Sequence, residues 1–539
     1  MGVDDVLEMM LFVAVILLVC SLLQKVSGKI GIPSLLLFIL LGMLMGSDGI
    51  FKVPFDDFGF AQVISTVALV VIMFSGGFET NFKASRVIAP KAIVLSSLGT
   101  VLTAVFVGLF CYLFLGMGFL EGMLCGSVLS STDAASVFSI LRSKKLALKD
   151  NTAPLLEMES GSNDPFANML TIVVLTAMGS GISSGEVVIL LFKQLSVGLV
   201  FGFGMGYIIR SVIKTIHLDT SGIETIFISA TVFASYALCS MLDGNGFLCV
   251  YIIGIIVGNA HLQENKTLVP FFDGVTSIMQ AILFFLLGLL AFPSRMSDVL
   301  LPAVWIMIFM LVIARPLSVF LLSLPFKRNS RQNLLVSFAG LRGASSIVFA
   351  IQAILDPASI SYDIFHIVFI VVLLSISIQG TLLPLAARKL DMVDADGDVL
   401  KTFTDYVDEK PINYIGFTIT KEHAYCNKAI KDIVLPPGTI IVNLKRNHTN
   451  IVPLGNTVLE CGDMVLLCAL EMKKGIELAL YERCIDQDSG LVGSRLKSID
   501  KDENGLVVLV QRGNEYIIPD GNLTLEEGDR IVVNHSFAE

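Results

Sequence analysis

Apolar runs of about twenty residues recur along the chain as far as about Ala387, separated by short polar junctions. That recurrence fixes the fold class. About 20 helical residues are needed to cross the hydrocarbon of a bilayer. In lipid every backbone polar group must be satisfied within its own segment, so such runs are helices. Thirteen spans are expected, starting near residues 5, 30, 60, 88, 118, 157, 187, 223, 245, 273, 298, 331 and 363. The first run lacks a basic n-region and reads as a span rather than a cleavable leader. From about Lys389 the composition is that of a soluble protein. The expected organisation is a membrane domain over 1–388, a linker over 389–400, and two small domains over 401–475 and 476–539.

Charge placement gives the orientation. The odd-numbered junctions hold Lys25 and Lys29; Lys83, Arg86 and Lys91; Arg142, Lys144, Lys145 and Lys149; Arg210 and Lys214; Lys266; and Lys327, Arg328 and Arg331. Arg388 and Lys389 follow the last span, and the even-numbered junctions hold Lys52, Arg295 and little else. The positive-inside rule then puts the odd junctions and the tail in the cytoplasm of a bacterial inner membrane, with the N-terminus outside. Only 16% of residues are charged, well below the quarter or so of a soluble domain. The net charge of -10 comes largely from the tail and argues against nucleic-acid binding.

Three spans carry polar groups where none should be. The fifth contains Ser130-Ser131-Thr132-Asp133, the sixth Glu157-Met158-Glu159-Ser160-Gly161-Ser162-Asn163-Asp164-Pro165, and the twelfth Gly340-Leu341-Arg342-Gly343-Ala344-Ser345-Ser346. An ionised group at mid-bilayer costs at least ~2.5–3.5 kcal/mol on insertion scales, so such residues persist where they face a cavity, a partner or a transported ion. Ser160 and Asp164 are four apart and share a helix face, as do Glu159 and Asn163. Pro165 has no N–H, which frees the carbonyl of Gly161. Asp133, Asp164, Ser160 and backbone oxygen near Thr132 offer the oxygen ligands that a hard monovalent cation prefers. Arg342, the basic residue of these motifs, is expected to brace Glu159 as an ion pair.

The Ser/Thr run and the glycines indicate that spans five and twelve are discontinuous, which is tolerated where backbone lines a cavity. Two interrupted helices at matching positions indicate inverted repeats, spans 1–6 and 8–13. The fold class is therefore an all-α polytopic membrane protein of thirteen helices with two discontinuous crossing helices, followed by a soluble α+β tail.

Ser131-Thr132-Asp133, Glu159-Ser160-x-x-Asn163-Asp164 and Gly340-Leu341-Arg342-Gly343 together resemble the monovalent cation:proton antiporter-1 family, NhaP type, over about residues 1–390. The resemblance implies that Asp164 alternately binds cation and proton, that Asp133, Thr132 and Ser160 complete the ion site beside Asn163, that Glu159 pairs with Arg342, and that the protein is a homodimer. Some members have a glutamate on the third helix; the matching stretch Met73-Phe74-Ser75-Gly76-Gly77 has neutral Ser75. Relatives with two adjacent aspartates are generally electrogenic. Asn163-Asp164 resembles the electroneutral type, because Asn163 cannot carry a proton.

The tail repeats itself with an offset of 66. Arg446 matches Arg512, Pro453 matches Pro519, Gly455-Asn456 matches Gly521-Asn522, Leu459-Glu460 matches Leu525-Glu526, and Gly462-Asp463 matches Gly528-Asp529. Each copy alternates β-branched runs with turn signals and reads as a small β-rich domain. A helix is expected near Asn427–Ile433. The pattern resembles the TrkA-C lobe of regulators of potassium conductance, which implies dimerisation and a small ligand, including regulatory nucleotides such as cyclic di-AMP. A dimerisation module without ligand is the other reading. No Gly-x-Gly-x-x-Gly follows a strand, so a dinucleotide-binding lobe is not expected. Arg446 and Arg512 could meet phosphate, but exposed arginines in turns are common. TrkA-C domains accompany potassium systems, so K+ is the expected cation, with Na+ next.

The rival readings are a ligand-gated cation channel and a transport-inactive sensor. A channel should carry a carbonyl filter of the Thr-Val-Gly-Tyr-Gly kind, which is absent from the sequence. No enzyme is expected, since there is no nucleophile–base pair and the six histidines are scattered. His366 reads as a packed interior residue and Lys193 as a snorkelling one. Nine cysteines show no pairing or metal spacing and read as small apolar filler, reduced in a cytoplasm. The only metals expected are the transported K+ or Na+.

Overall fold

The computed structural model describes residues 3–30, 33–80, 86–144, 146–180, 184–215, 221–260, 265–326, 329–358, 360–394, 412–421, 423–436, 439–446, 449–451, 453–470, 480–485, 491–498, 506–512, 515–517 and 519–534. Lys83, Lys145, Lys327 and Arg328, which contribute to the charge argument, lie outside the described residues. The chain forms two compact units, Met1–Asp408 and Glu409–Glu539.

The first unit is helical. Its helices are α1 (Val3–Ile30), α2 (Ser34–Met45), α3 (Phe58–Glu79), α4 (Ala89–Phe114), α5 (Phe119–Leu129), α6 (Ala134–Ser143), α7 (Thr152–Ser180), α8 (Ser184–Thr215), α9 (Ser221–Met241), α10 (Gly246–Gly258), α11 (Asn265–Leu289), α12 (Pro293–Leu322), α13 (Ser330–Phe338), α14 (Ala344–Leu355) and α15 (Ile364–Lys389). Among the described residues seven helices are long and apolar enough to cross a membrane unaided: α3, α4, α8, α9, α11, α12 and α15. Of the remaining expected spans, α1 carries its apolar stretch at Met10–Lys25, and the others are short, interrupted or polar. α2 and α10 have 12 and 13 residues. The fifth and twelfth are split into α5–α6 and α13–α14. The sixth, α7, is continuous through Pro165 but carries the acidic motif.

The unit is apolar outside and polar inside, as lipid requires. Val188, Ile189 and Phe192 of α8 are largely exposed, while Glu159, Asn163, Arg315 and Arg342 are buried. Lys91, read from the sequence as a junction charge, lies in the first turn of α4, where Nζ donates to Gln332 Oε1 and Asn333 Oδ1 at 2.8 Å each. Lys193 is exposed and pairs with Asp243 at 2.7 Å. His366 is buried; its Nδ1 lies 2.6 Å from Asp363 Oδ2, and its Nε2 accepts from Phe292 N at 3.2 Å. α12 and α15 each contain one π turn, Met310–Ala314 and Ser375–Gln379. The start of the expected linker is built into this unit, because β2 (Val393–Asp394) pairs antiparallel with β1 (Ala147–Leu148). Residues 395–400 of that linker lie outside the described residues.

The second unit contains two four-stranded antiparallel sheets of equivalent topology. One has the order β3-β6-β4-β5, from Ile412–Thr418, Met464–Leu470, Thr439–Arg446 and Thr449–Ile451; the other has the order β7-β10-β8-β9, from Leu480–Cys484, Arg530–Asn534, Leu506–Arg512 and Glu515–Ile517. Gly462 and Gly528, equivalent in the repeat, both adopt positive φ, +95° and +89°, in the turn before the central strand. Glycine meets no Cβ penalty there. The helix expected near Asn427–Ile433 is corrected to a single 3₁₀ turn, Ile430–Asp432. Its backbone donors are used elsewhere: Asn427 N bonds Leu459 O, Ile430 N bonds Thr457 O, and Lys431 N bonds Gly455 O. A backbone donor can serve a helix or a neighbouring segment, and here the neighbour takes it.

Candidate ion-binding site

The two interruptions meet inside the first unit. Asp133 N, between α5 and α6, donates to Leu341 O, between α13 and α14, at 2.8 Å. Arg342 reaches back across the same contact, and its guanidinium donates to Ser130 O at 2.9 Å and Ser131 O at 2.6 Å. A helix end leaves carbonyls without partners and a partial negative charge. A buried guanidinium answers both needs at the end of α5. Arg342 N in turn donates to Ser375 Oγ in the π turn of α15, and Gln379 Nε2 of that turn donates to Phe338 O at the end of α13. The irregular backbone of one helix thus holds the irregular backbone of another.

Arg342 is therefore not placed as the sequence suggests. Its expected partner Glu159 pairs instead with Arg315, whose guanidinium lies 2.5 Å from Glu159 Oε1, both side chains being buried. Arg315 directly follows the π turn of α12. The sequence signal for it existed: a single arginine deep in the apolar run of α12. Burying one ion without the other would be strongly destabilising.

Asp164 and Ser160 project from α7 toward these breaks. Ser131 Oγ donates to Asp164 Oδ1, and Ser131 Oγ also lies 2.7 Å from Ser345 Oγ at the start of α14. Thr132 Oγ1 lies 3.0 Å from Ser160 Oγ and accepts from Asn163 Nδ2. Asp133 takes the capping position of α6, accepting from Ser136 N at 3.4 Å and Ser136 Oγ at 2.5 Å. Space is tight. A Cβ on Gly343 would collide with the Asp133 side chain, and one on Gly340 would lie 2.8 Å from Arg315 Nε.

Thr132, Asp133, Ser160, Asp164 and Ser345 line one cavity of about 590 Å³. Asn163 stands behind Thr132 rather than on the wall. The same cavity is lined by Gln24, Ser34, Glu79, Glu157 and Asp273, near the junctions after α1, α3, α6 and α10. Those are odd-numbered junctions. Ser131, Ser345 and Glu157 stood in the polar motifs of the sequence but were given no place in the ion site, and Glu79 and Asp273 were not singled out at all. Ser75, the neutral residue of the third span, donates to Glu79 Oε1 at 3.1 Å, so α3 does bring a carboxylate to this cavity, one turn further on. The arrangement is a cavity whose wall carries hydroxyl oxygens and the carboxylates of Asp133 and Asp164. It can hold a small cation or a proton.

In the tail, Arg446 and Arg512 do the same thing in their two copies. Arg446 Nε and Nη2 grip Asp463 at 2.8 and 2.7 Å, and Nη1 grips Glu460 at 2.6 Å. Arg512 grips Asp529 at 2.9 and 2.8 Å and also bonds Glu526. The arginine donors are engaged in holding the Gly-Asp turn. Asp463 and Asp529 are held below the usual carboxylate range, first by the hydrogen bonds from these arginines.

Residues 14–389 match the sodium/hydrogen exchanger transmembrane family, and residues 414–470 and 480–534 match the TrkA-C domain. The chain is 32% identical over 483 residues to a K(+)/H(+) antiporter NhaP2 of Shewanella oneidensis, covering 88% of this chain and 83% of the relative. It is 33% identical over 465 residues to a K(+)/H(+) antiporter NhaP of Alkalimonas amylolytica, covering 85% and 81%. Its fold resembles that of the sodium proton antiporter MjNhaP1 from Methanocaldococcus jannaschii, with a TM-score of 0.63 at 22% identity, covering 70% of this chain and 100% of that one. A continuous family match over the membrane unit, a second over each half of the tail, and relatives of comparable length leave one assignment: the chain belongs to the sodium/hydrogen exchanger family, a cation/proton antiporter of the membrane and not an enzyme, with TrkA-C domains at its C-terminal end.

Proposed function

We propose that the protein exchanges K+ for H+ across a bacterial inner membrane, one for one, by competition of the two at Asp164. In this reading it has thirteen spans, N-terminus outside and tail cytoplasmic. The observation that carries it is the single cavity whose wall includes Asp164, Asp133, Ser160 and Thr132. Asp164 is a carboxylate held by neutral hydroxyls rather than by a fixed cation, so its charge must be matched by what it binds. Protonated, it needs no cation; ionised in an apolar interior, it does. Glu159, which has Arg315, is already neutralised and stays out of the exchange. Asn163 carries no charge, so one carboxylate per cycle supports electroneutral exchange.

The cavity lies toward the odd-numbered junctions, which supports a state open to the cytoplasm. Thr132, Ser160 and backbone oxygen near the break are the proposed further cation ligands. The preference for K+ draws support from relatives named as K(+)/H(+) antiporters. Na+ is the second reading, since a structural neighbour is described as a sodium proton antiporter. The protein is proposed to work as a homodimer, with the tail passing a small-ligand or nucleotide signal, cyclic di-AMP being one class.

The test is exchange in proteoliposomes, read by a pH-sensitive dye with K+, Na+, Li+ or Rb+ as driving ion. Coupled, cation-dependent proton flux that is insensitive to membrane potential and lost in Asp164→Asn is the expected result. Normal flux in Asp164→Asn, uncoupled conductance, or no flux in the unmodified protein would overturn it.

A further inference from the structure

On α7 the cavity-lining residues Glu157, Ser160, Gly161 and Asp164 all precede Pro165. Beyond Pro165 no residue of α7 lines that cavity, and polar groups are buried there too. Asn168 lies one turn after Asp164 on the same face, 5% exposed, and its Oδ1 has no hydrogen-bond partner among the described residues. Gln194 of α8 is 3% exposed, and neither of its side-chain polar atoms has such a partner. The exposed apolar residues Val188, Ile189, Phe192 and Val200 lie on other faces of α8, while Gly198, one turn after Gln194, packs against Asn245. Asn245 stands between α7 and α8. Its Nδ2 donates to Pro165 O at 2.6 Å, its backbone N donates to Gln194 O at 3.0 Å, and its Oδ1 caps α10 through Leu248 N at 2.9 Å.

Buried amides without partners are costly anywhere and more so in lipid. A buried polar group left unsatisfied in a native fold calls for an explanation, and use in another conformational state is one. We infer that Asn168, Gln194 and Asn245 form the closed second half of the ion path. In the state open to the opposite side, the Asn245–Pro165 clasp parts and the amides of Asn168 and Gln194 line the route to Asp164. Asn245 is the latch, one residue from the carboxylate, and it senses the same stretch of α7 that binds the ion. Asn168 and Gln194 are positioning residues for hydrated cations, offering amide oxygen without fixed charge. This inference rests on the reading of Asp164 as the exchanging carboxylate.

The test uses the full-length protein in right-side-out membrane vesicles and in proteoliposomes. Gln194→Leu removes a buried amide that has no hydrogen-bond partner among the described residues. It is expected to raise the melting temperature and to lower exchange at least tenfold. Gln194→Cys and Asn168→Cys are expected to react with a cationic, membrane-impermeant thiol reagent added outside right-side-out vesicles, faster than the parent, whose membrane-unit cysteines are buried and whose exposed Cys461 and Cys484 belong to the tail, and to be protected by external K+ or Na+. Exchange at the unmodified rate in Gln194→Leu, or no labelling of either cysteine above the parent, would overturn the inference. Asp164→Asn separates the two claims. If it abolishes exchange while Gln194→Leu leaves exchange intact, only the second half-path falls; if it retains exchange, the Asp164 reading falls first.

Discussion

Glu159 shows what a residue-scale reading can and cannot reach. Its burial and its need for a positive partner follow from its place in an apolar span. Which arginine answers depends on packing between helices far apart in sequence. Arg342 stands in a glycine-rich break that draws attention; Arg315 stands deep in the apolar run of α12 and makes the pair. By contrast, the convergence of Ser160 and Asp164 was visible in their four-residue spacing, because that is a property of one helix. Ser131 and Ser345 on Asp164 come from two other elements, and no local pattern announces them. Arg315→Leu is expected to cost about 3–5 kcal/mol, since it strands a buried carboxylate, with Arg315→Leu plus Glu159→Gln recovering much of the loss. Thermal melting in detergent checks both. Equal destabilisation by the single and double variants would contradict the pair.

At the scale of elements, the breaks were legible and their fastening was not. Ser130–Asp133 and Gly340–Gly343 advertise irregular backbone through residue type. The π turns at Met310–Ala314 and Ser375–Gln379 have no such signature, yet they place Arg315 and present Ser375 to Arg342. The crowding of Gly343 against Asp133 gives a sharp expectation. Gly343→Ala should lower exchange by roughly tenfold or more, because misplacing one side of a preorganised site by about 1 Å is costly. Gly204→Ala on α8, where a Cβ meets nothing within 4 Å, should leave exchange unchanged. Initial exchange rates at matched protein density make the comparison. In the tail the expected helix failed for a comparable reason: a partner segment claimed the backbone donors of Asn427, Ile430 and Lys431, which local propensity does not register.

For the whole molecule, composition drew the boundary between a membrane unit and a soluble tail, and the repeat offset of 66 predicted two like domains. The repeat reaches individual bonds, since Arg446–Asp463–Glu460 and Arg512–Asp529–Glu526 are the same clasp. Arg446→Ala should speed hydrogen exchange in residues 455–463 of the full-length protein by about tenfold, through local opening of the turn. The sign of its pH dependence follows from the lowered pKa of Asp463 and Asp529. A carboxyl whose folded value is depressed gives stability that is complete above its unfolded value, about 4, and is lost as pH falls through the folded value. Protection of both turns should therefore be flat from neutral pH to about 4 and decline below it, less steeply in Arg446→Ala for the first turn.

Counting protons released when a cation binds tests the exchange account most directly. Detergent-solubilised protein titrated with K+ by calorimetry, in buffers of different ionisation enthalpy, reports that number without any transport step. Competition at Asp164 predicts up to one proton released per cation where Asp164 starts protonated, apparent affinity weakening as pH falls, and no release in Asp164→Asn. Cation binding with no proton release at any pH, or the same release from Asp164→Asn, would contradict it.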